Sequence, residues 1–194
     1  MGALRLSSST TDGSANAPAG SPQLPNLLKS YAARHPWEVA GVDYAVGVPQ
    51  GLALKDPSTI SMAGVQVSGH TITITGNNVT LNGYDFSLNG GWSVNINSGV
   101  TNTLIENSYF KVGSNQQVPV NASNGVGNLT VLNDTFDGGS LTNDSVWTMV
   151  AYGGSGTFTS LYCIYQNTPE DGIQFGQGTM KVVVEYNLFQ NLGT

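Results

Sequence analysis

Residues 103–113 read TLIENSYFKVG: an alternating apolar strand, an Asn, two residues and an aromatic. The same order returns at residues 129–139 as LTVLNDTFDGG. Working outward from this pair and aligning on the aromatic gives Phe86, Phe110, Phe136, Tyr165 and Phe189, separated by 24, 26, 29 and 24 residues. Self-similarity at this period is the mark of a solenoid, in which each repeat buries its apolar face only against its neighbours.

Counting back from each aromatic, the inward pairs of the preceding strand are Val79/Leu81, Thr103/Ile105, Leu129/Val131, Phe158/Ser160 and Val182/Val184. A glycine column, Gly76, Gly99, Gly125, Gly154 and Gly178, precedes that strand, where a corner favours positive φ. Before each glycine lies a second alternating strand, with inward pairs Ile72/Ile74, Val94/Ile96, Val120/Ala122, Met149/Ala151 and Ile173/Phe175. The expectation is a coil of two strands and a corner wound around one core. In parallel coils equivalent positions lie about 4.8 Å apart. The aromatics should therefore form an internal ladder, and Asn107 over Asn133 should bond along the axis. In the other coils Gly83, Tyr162 and Tyr186 occupy that Asn position.

The motifs VTLNGYDF, TLIENSYF, LTVLNDTF, VVVEYNLF and PEDGIQF make the chain resemble the right-handed parallel β-helix repeat family, the pectate-lyase-like superfold, over about residues 44–194. The resemblance implies an all-β, right-handed parallel β-helix of about five coils. It also implies a short amphipathic helix capping the N-terminal end of the solenoid. Residues 25–35 suit that role, because Leu27, Leu28, Tyr31 and Ala32 fall at helical spacing and Pro36 stops the run. Residues 1–24, rich in Ser, Thr, Gly, Ala and Pro, read as a flexible leader, and residues 25–43 as the capping helix and its connection. The last repeat stops immediately after its aromatic rung, so the β-helix of residues 44–194 is expected to lack a C-terminal cap.

Composition narrows the function. The chain has 194 residues, 9% of them charged, and a net charge of -6. Beyond residue 100 its only cations are Lys111 and Lys181, so the basic stripe that a nucleic-acid binder needs is missing. No apolar run is long enough to span a bilayer. Cys163 is the single cysteine, which excludes an internal disulfide and reads as a buried structural thiol. An extracellular or cell-surface location, in a bacterial-type protein, is the expectation, with an export route that the sequence does not display.

Coil length varies on one edge. From the aromatic to the first inward residue of the next strand the gaps are 8, 10, 13 and 8, so insertions gather where KVGSNQQ, DGGSLTNDS and QNTPED stack as neighbouring loops. Solenoids place binding function on such edges. Lys111, Asp137, Asp144, Glu170 and Asp171 lie there, with Trp147 at the start of the following strand. Asp137, Asp144, Glu170 and Asp171 are the candidate acid/base residues for a glycosidic bond. Lys111, Trp147, Asp137 and Glu170 are the candidate substrate-binding set, Trp147 offering a stacking face to a sugar. The alternative is structural: Asp is an ordinary turn residue, and Trp147 falls in the column of Trp92 and Val118, where it would simply pack. No resident cofactor or metal is expected, although acidic loops could hold Ca²⁺ through oxygen ligands.

The family's catalytic sets do not carry over. Its lyases generally use a basic residue, usually Arg, beside Ca²⁺-binding acids, and the only arginines here are Arg5 and Arg34. Its polygalacturonases pair Asp residues with a His-containing motif, and no His lies beyond His70. The leading expectation is therefore a β-helix that binds polysaccharide or acts as an adhesin-like module. A polysaccharide lyase or glycoside hydrolase using the loop carboxylates is the first alternative. The second is a homo-oligomeric fibre segment associating through an outward apolar stripe of Leu104, Leu132 and Leu161.

Overall fold

The computed structural model describes residues 38–114, 118–122, 125–140 and 146–193. They form a parallel β-solenoid of about five coils. The first coil carries β1 (Val65–Ser68), β2 (Thr71–Ile74) and β3 (Thr80–Asn82), and the second β4 (Ser93–Ile96), β5 (Thr103–Glu106) and β6 (Tyr109–Lys111). The third holds β7 (Val120–Ala122), β8 (Leu129–Leu132) and β9 (Thr135–Asp137). The fourth holds β10 (Thr148–Tyr152), β11 (Thr157–Leu161) and β12 (Ile164–Thr168), and the fifth β13 (Asp171–Phe175), β14 (Lys181–Glu185) and β15 (Leu188–Leu192).

Each full coil thus has three strands, not two. They stack into three sheets, ordered β1-β2-β4-β7-β10-β13, β3-β5-β8-β11-β14 and β6-β9-β12-β15. Every pairing is parallel except β1 on β2, which is antiparallel. The third strand escapes sequence periodicity because it is short and carries the aromatic itself: β6 is Tyr-Phe-Lys and β9 is Thr-Phe-Asp.

The core is the expected ladder. Phe86 and Phe110 stack at 4.4 Å between centroids, Phe110 and Phe136 at 4.8 Å, Phe136 and Tyr165 at 5.0 Å, and Tyr165 and Phe189 at 4.9 Å. Cys163 is buried, as read from the sequence. Register departs from expectation in one strand. Val150 and Tyr152 pair with Val120 and Ala122, so they take the inward columns assigned to Met149 and Ala151. Met149 is still buried in the core. The sequence between Phe136 and β10 is longer than its counterparts in the other coils, and periodicity cannot carry register across it.

The Asn107 column has a backbone purpose. Gly83, Asn107, Asn133, Tyr162 and Tyr186 all have φ between 53° and 71°, forming a left-handed corner between the second and third sheets. Gly and Asn are the residues that adopt this conformation most readily. The amide of Asn107 donates to Asn82 Oδ1 at 3.2 Å rather than continuing a ladder to Asn133. An amide ladder does exist, but one corner earlier: Asn102 Nδ2 donates to Asn78 Oδ1 at 3.0 Å, and Asn128 Nδ2 to Asn102 Oδ1 at 2.9 Å. In the glycine column, Gly99 and Gly125 are left-handed, whereas Gly154 is needed because a Cβ there would overlap the Val126 carbonyl.

Just after the left-handed corner the chain turns one side chain inward, and these side chains cap backbone donors of the preceding coil. Tyr84 N donates to Ser108 Oγ at 3.1 Å, Ser108 N to Asp134 Oδ1 at 2.7 Å, and Cys163 N to Asn187 Oδ1 at 2.7 Å. The Asp134 N–H meets the Cys163 sulfur in the same way. A polar column therefore runs inside an apolar core, each member satisfied by its neighbour.

Residues 25–35, expected to form the cap, lie outside the described residues. The connection that follows them runs along the outside of the third sheet. Tyr44 packs edge-on against Tyr162 and Tyr186, at 5.8 and 5.7 Å. Gly47 N donates to Tyr162 O, Val48 N to Thr135 Oγ1, and Lys55 N to Gly83 O. Residues 40–55 are thus a strap that begins beside the fourth and fifth coils and ends at the first. Ala40, Val46 and Ile164 share a small apolar cluster beneath it.

Candidate functional site

The edge between the third sheet and the first holds the residues singled out from the sequence. Lys111 and Asp137 pair in register on β6 and β9, Gln166 follows on β12, and Gln190 on β15. In this column Phe110, Phe136, Tyr165 and Phe189 point inward, so Lys111, Asp137, Gln166 and Gln190 take the opposite face, although Asp137 is itself buried. The result is a polar ladder beside the strap. Gln190 Nε2 donates to Gln166 Oε1 at 2.7 Å, and Gln166 Nε2 to Asp137 Oδ2 at 3.1 Å.

Asp137 is the anchor of this face. Its Oδ1 also accepts from Gly139 N at 2.8 Å and from Asn167 Nδ2 at 3.1 Å, and Asn191 Nδ2 continues that second row to Asn167 Oδ1 at 3.1 Å. The carboxylate is thereby held in one orientation by three donors besides the hydroxyl of Tyr109. Burial, followed by the charges of Asp137 and Asp85, pushes the Tyr109 phenol up to about 12. Tyr109 therefore stays a neutral donor across the physiological range.

Glu170 and Asp171 lie beyond the ladder, exposed at the entry to β13. Asp171 N meets Trp147 O at 3.4 Å, which places Trp147 one coil away from the pair. Trp147 is 37% exposed. The register shift in β10 explains this: Thr148, not Trp147, follows the column of Trp92 and Val118, and Thr148 is the buried residue. The structure thus gathers Lys111 and Asp137 on one ladder, and Trp147, Glu170 and Asp171 at its margin. Asp144 lies outside the described residues. Among the described residues no three His, Cys, Asp or Glu side chains come together as metal ligands.

Gln166, Asn167, Gln190 and Asn191 were missed by sequence reasoning. Their signal was present as the repeated pairs QN after two consecutive aromatic rungs, Tyr165 and Phe189. Asn167 and Asn191 are left-handed as well, with φ of 57° and 53°, which turns Thr168 and Leu192 back toward the core.

The Leu104/Leu132/Leu161 stripe is not a single column. Leu132 and Leu161 pair with each other and continue into Glu106 and Glu185, whereas Leu104 pairs with Thr130. All three are partly buried. Among the described residues, no helix is long and apolar enough to cross a membrane.

Comparison of the chain with protein-family models, with curated proteins and with solved structures gives no match.

Proposed function

We propose that this β-solenoid is a polysaccharide-binding module of an extracellular or cell-surface protein, adhesin-like in role. The observation that carries the reading is the outward ladder Lys111–Asp137–Gln166–Gln190, bordered by the exposed ring of Trp147. Its rungs repeat at the coil rise of about 4.8 Å, a spacing comparable to the length of one pyranose unit. A glycan lying along the solenoid axis would meet the amide groups of Gln166 and Gln190 at successive sugars, with the buried Asp137 holding the row in place. Such groups recognise hydroxyls without net charge, in keeping with a chain in which 9% of residues are charged.

Lyase or hydrolase action ranks behind binding because both oxygens of Asp137 are already engaged by protein donors. Such a carboxylate positions its neighbours more readily than it exchanges a proton with substrate. Glu170 and Asp171 remain the acids open to solvent on that margin.

A panel of neutral and acidic polysaccharides, assayed for retention and for release of unsaturated or reducing ends with and without Ca²⁺, tests the reading. Retention without product is expected, weakened about tenfold by Trp147→Ala, the ~1.4 kcal/mol of one lost stacking face. Release of product would replace binding by catalysis, and absence of retention across the panel would remove the proposal.

A further inference from the structure

The first coil begins on a strand whose outer edge is open. β1 pairs with β2 in antiparallel register, Val65 with Ile74 and Val67 with Ile72, and no other described strand pairs with it. Thr75 N donates to Gly64 O at 2.8 Å, which sets the phase of the ladder. Antiparallel bonds alternate along a pair, so Gln66 and Ser68 turn their backbone groups toward β2 while Val65 and Val67 turn theirs away. Val65 N is taken by Met62 O at 3.3 Å. The N–H and C=O of Val67 point off the sheet with no partner among the described residues.

The side chain of Val67 is open as well. It heads the column of Ile72, Val94, Val120 and Val150, all fully buried, yet it is 37% exposed. Leu52, another exposed apolar side chain, lies at the same end beside Gly83 of the first coil. Proteins ordinarily blunt such an edge with charge, Pro or a bulge. β1, Val-Gln-Val-Ser, has no charge and no Pro, and it pairs with β2 residue for residue. Apart from His70, residues 50–84 carry one charge of each sign, Lys55 and Asp56. In a chain whose net charge is -6 this end is therefore neutral, and two copies meet here without the repulsion that the acid excess brings elsewhere.

We propose that β1 is an isologous interface, pairing antiparallel with β1 of a second copy about a two-fold axis through Val67. In that register each Val67 N–H donates to the C=O of the other Val67, and Gln66 stands opposite Ser68. Uncharged polar groups then meet on one face and the two Val67 side chains on the other. The two six-stranded sheets become one, with the first coils three strand spacings apart, about 14 Å. That space fits one closing layer from each copy, because the layer is one strand thick: Lys55 bridges to Tyr84, and Ile60 and Met62 pack on the core. Two-fold symmetry closes the assembly at a dimer. The contact is one strand and its end layer, so the dimer belongs to the weak class that buries less than about 1,200 Å².

Sedimentation and hydrogen exchange of the full 194-residue chain, from micromolar to millimolar concentration, test the interface. A reversible dimer is expected, with the Val67 amide exchanging more slowly as concentration rises. Val67→Lys should weaken dimerisation at least about tenfold, since it sets like charges opposite one another across the axis, and should keep the exchange protection of β4–β9. Three results would each overturn the proposal: a wild type monomeric over the whole range, a Val67 amide equally protected at every concentration, as pairing within the chain would make it, or a dimer untouched by Val67→Lys. Should Val67→Lys fail to fold, a Val67→Cys chain decides the matter. The two-fold places its two Cα atoms about 5.5 Å apart, within disulfide reach, and the native Cys163 is buried. A covalent dimer that forms on oxidation faster than with Gln66→Cys supports the interface, and no covalent dimer, or one formed no faster, rejects it.

Discussion

Ser108 N donates to Oδ1 of Asp134 across two coils at 2.7 Å, and Leu132 N reaches the other oxygen at 3.3 Å, inside a core that excludes water from the carboxyl. Burial wins over these two donors and holds the Asp134 carboxyl well above the usual carboxylate range.

The sign of the resulting pH dependence follows from linkage. A carboxyl whose folded pKa is raised binds more protons in the folded state, so its stabilising contribution is full below the unfolded value, near 3.8, and is lost as pH rises toward the folded one. Urea midpoints should therefore fall from pH 4 to pH 7 more steeply for the wild type than for Asp134→Asn, which keeps an acceptor for Ser108. Parallel pH profiles for the two proteins would show that Asp134 does not titrate in this way.

Asn133 has a φ of 53°. Asn133→Ala should destabilise the solenoid by about 1–2 kcal/mol, because a Cβ without a polar side chain is strained in the left-handed region. Asn133→Gly should lie within a few tenths of a kcal/mol of wild type. Equilibrium denaturation gives both values, and an Ala variant as stable as the Gly variant would contradict the backbone account of this column.

Phe136 stacks on Phe110 and Tyr165 and is fully buried. Phe136→Ala should cost about 3–5 kcal/mol, the range for deleting a core aromatic and leaving a cavity. The expected signature is a shift in denaturant midpoint with little change in slope.

Gly47 has a φ of 77°, and a Cβ there would lie 2.5 Å from Thr135 Oγ1 and 2.7 Å from Ile164 Cδ1. Gly47→Ala should lift the strap locally while the coils persist. Limited proteolysis should then cut within residues 40–55 at a higher rate than in wild type, with the Phe136 region still protected. An unchanged cleavage pattern would mean that the strap is not held at Gly47.

Much of the fold was legible because a solenoid is locally redundant. The aromatic ladder from Phe86 to Phe189 and the inward pairs of β3, β5, β8 and β11 repeat the same side-chain choice at the same spacing. The candidate site was legible in part. Lys111 and Asp137 were found through the loop lengths that follow the aromatic rung. Gln166 and Gln190 were passed over because amides carry no charge to attract notice. Trp147 was placed in the wrong column, since the insertion before β10 shifts the register by one and only the pairing of Val150 with Val120 reveals it.

The sequence by itself determined the repeat, the inward aromatics and the weakly charged surface, all of which are properties of one coil or of composition. Only the tertiary structure decided that each full coil has three strands, that Asn107 and Asn133 serve a left-handed corner, and that Asp137 is locked by amides from the next coil. It also decided that the strap of residues 40–55 starts beside the fifth coil. The physical reason is that periodicity reports which face of a strand is buried, whereas hydrogen-bond partners and the path of an aperiodic segment depend on residues about 24 to 30 positions away, brought within reach only by winding the coil.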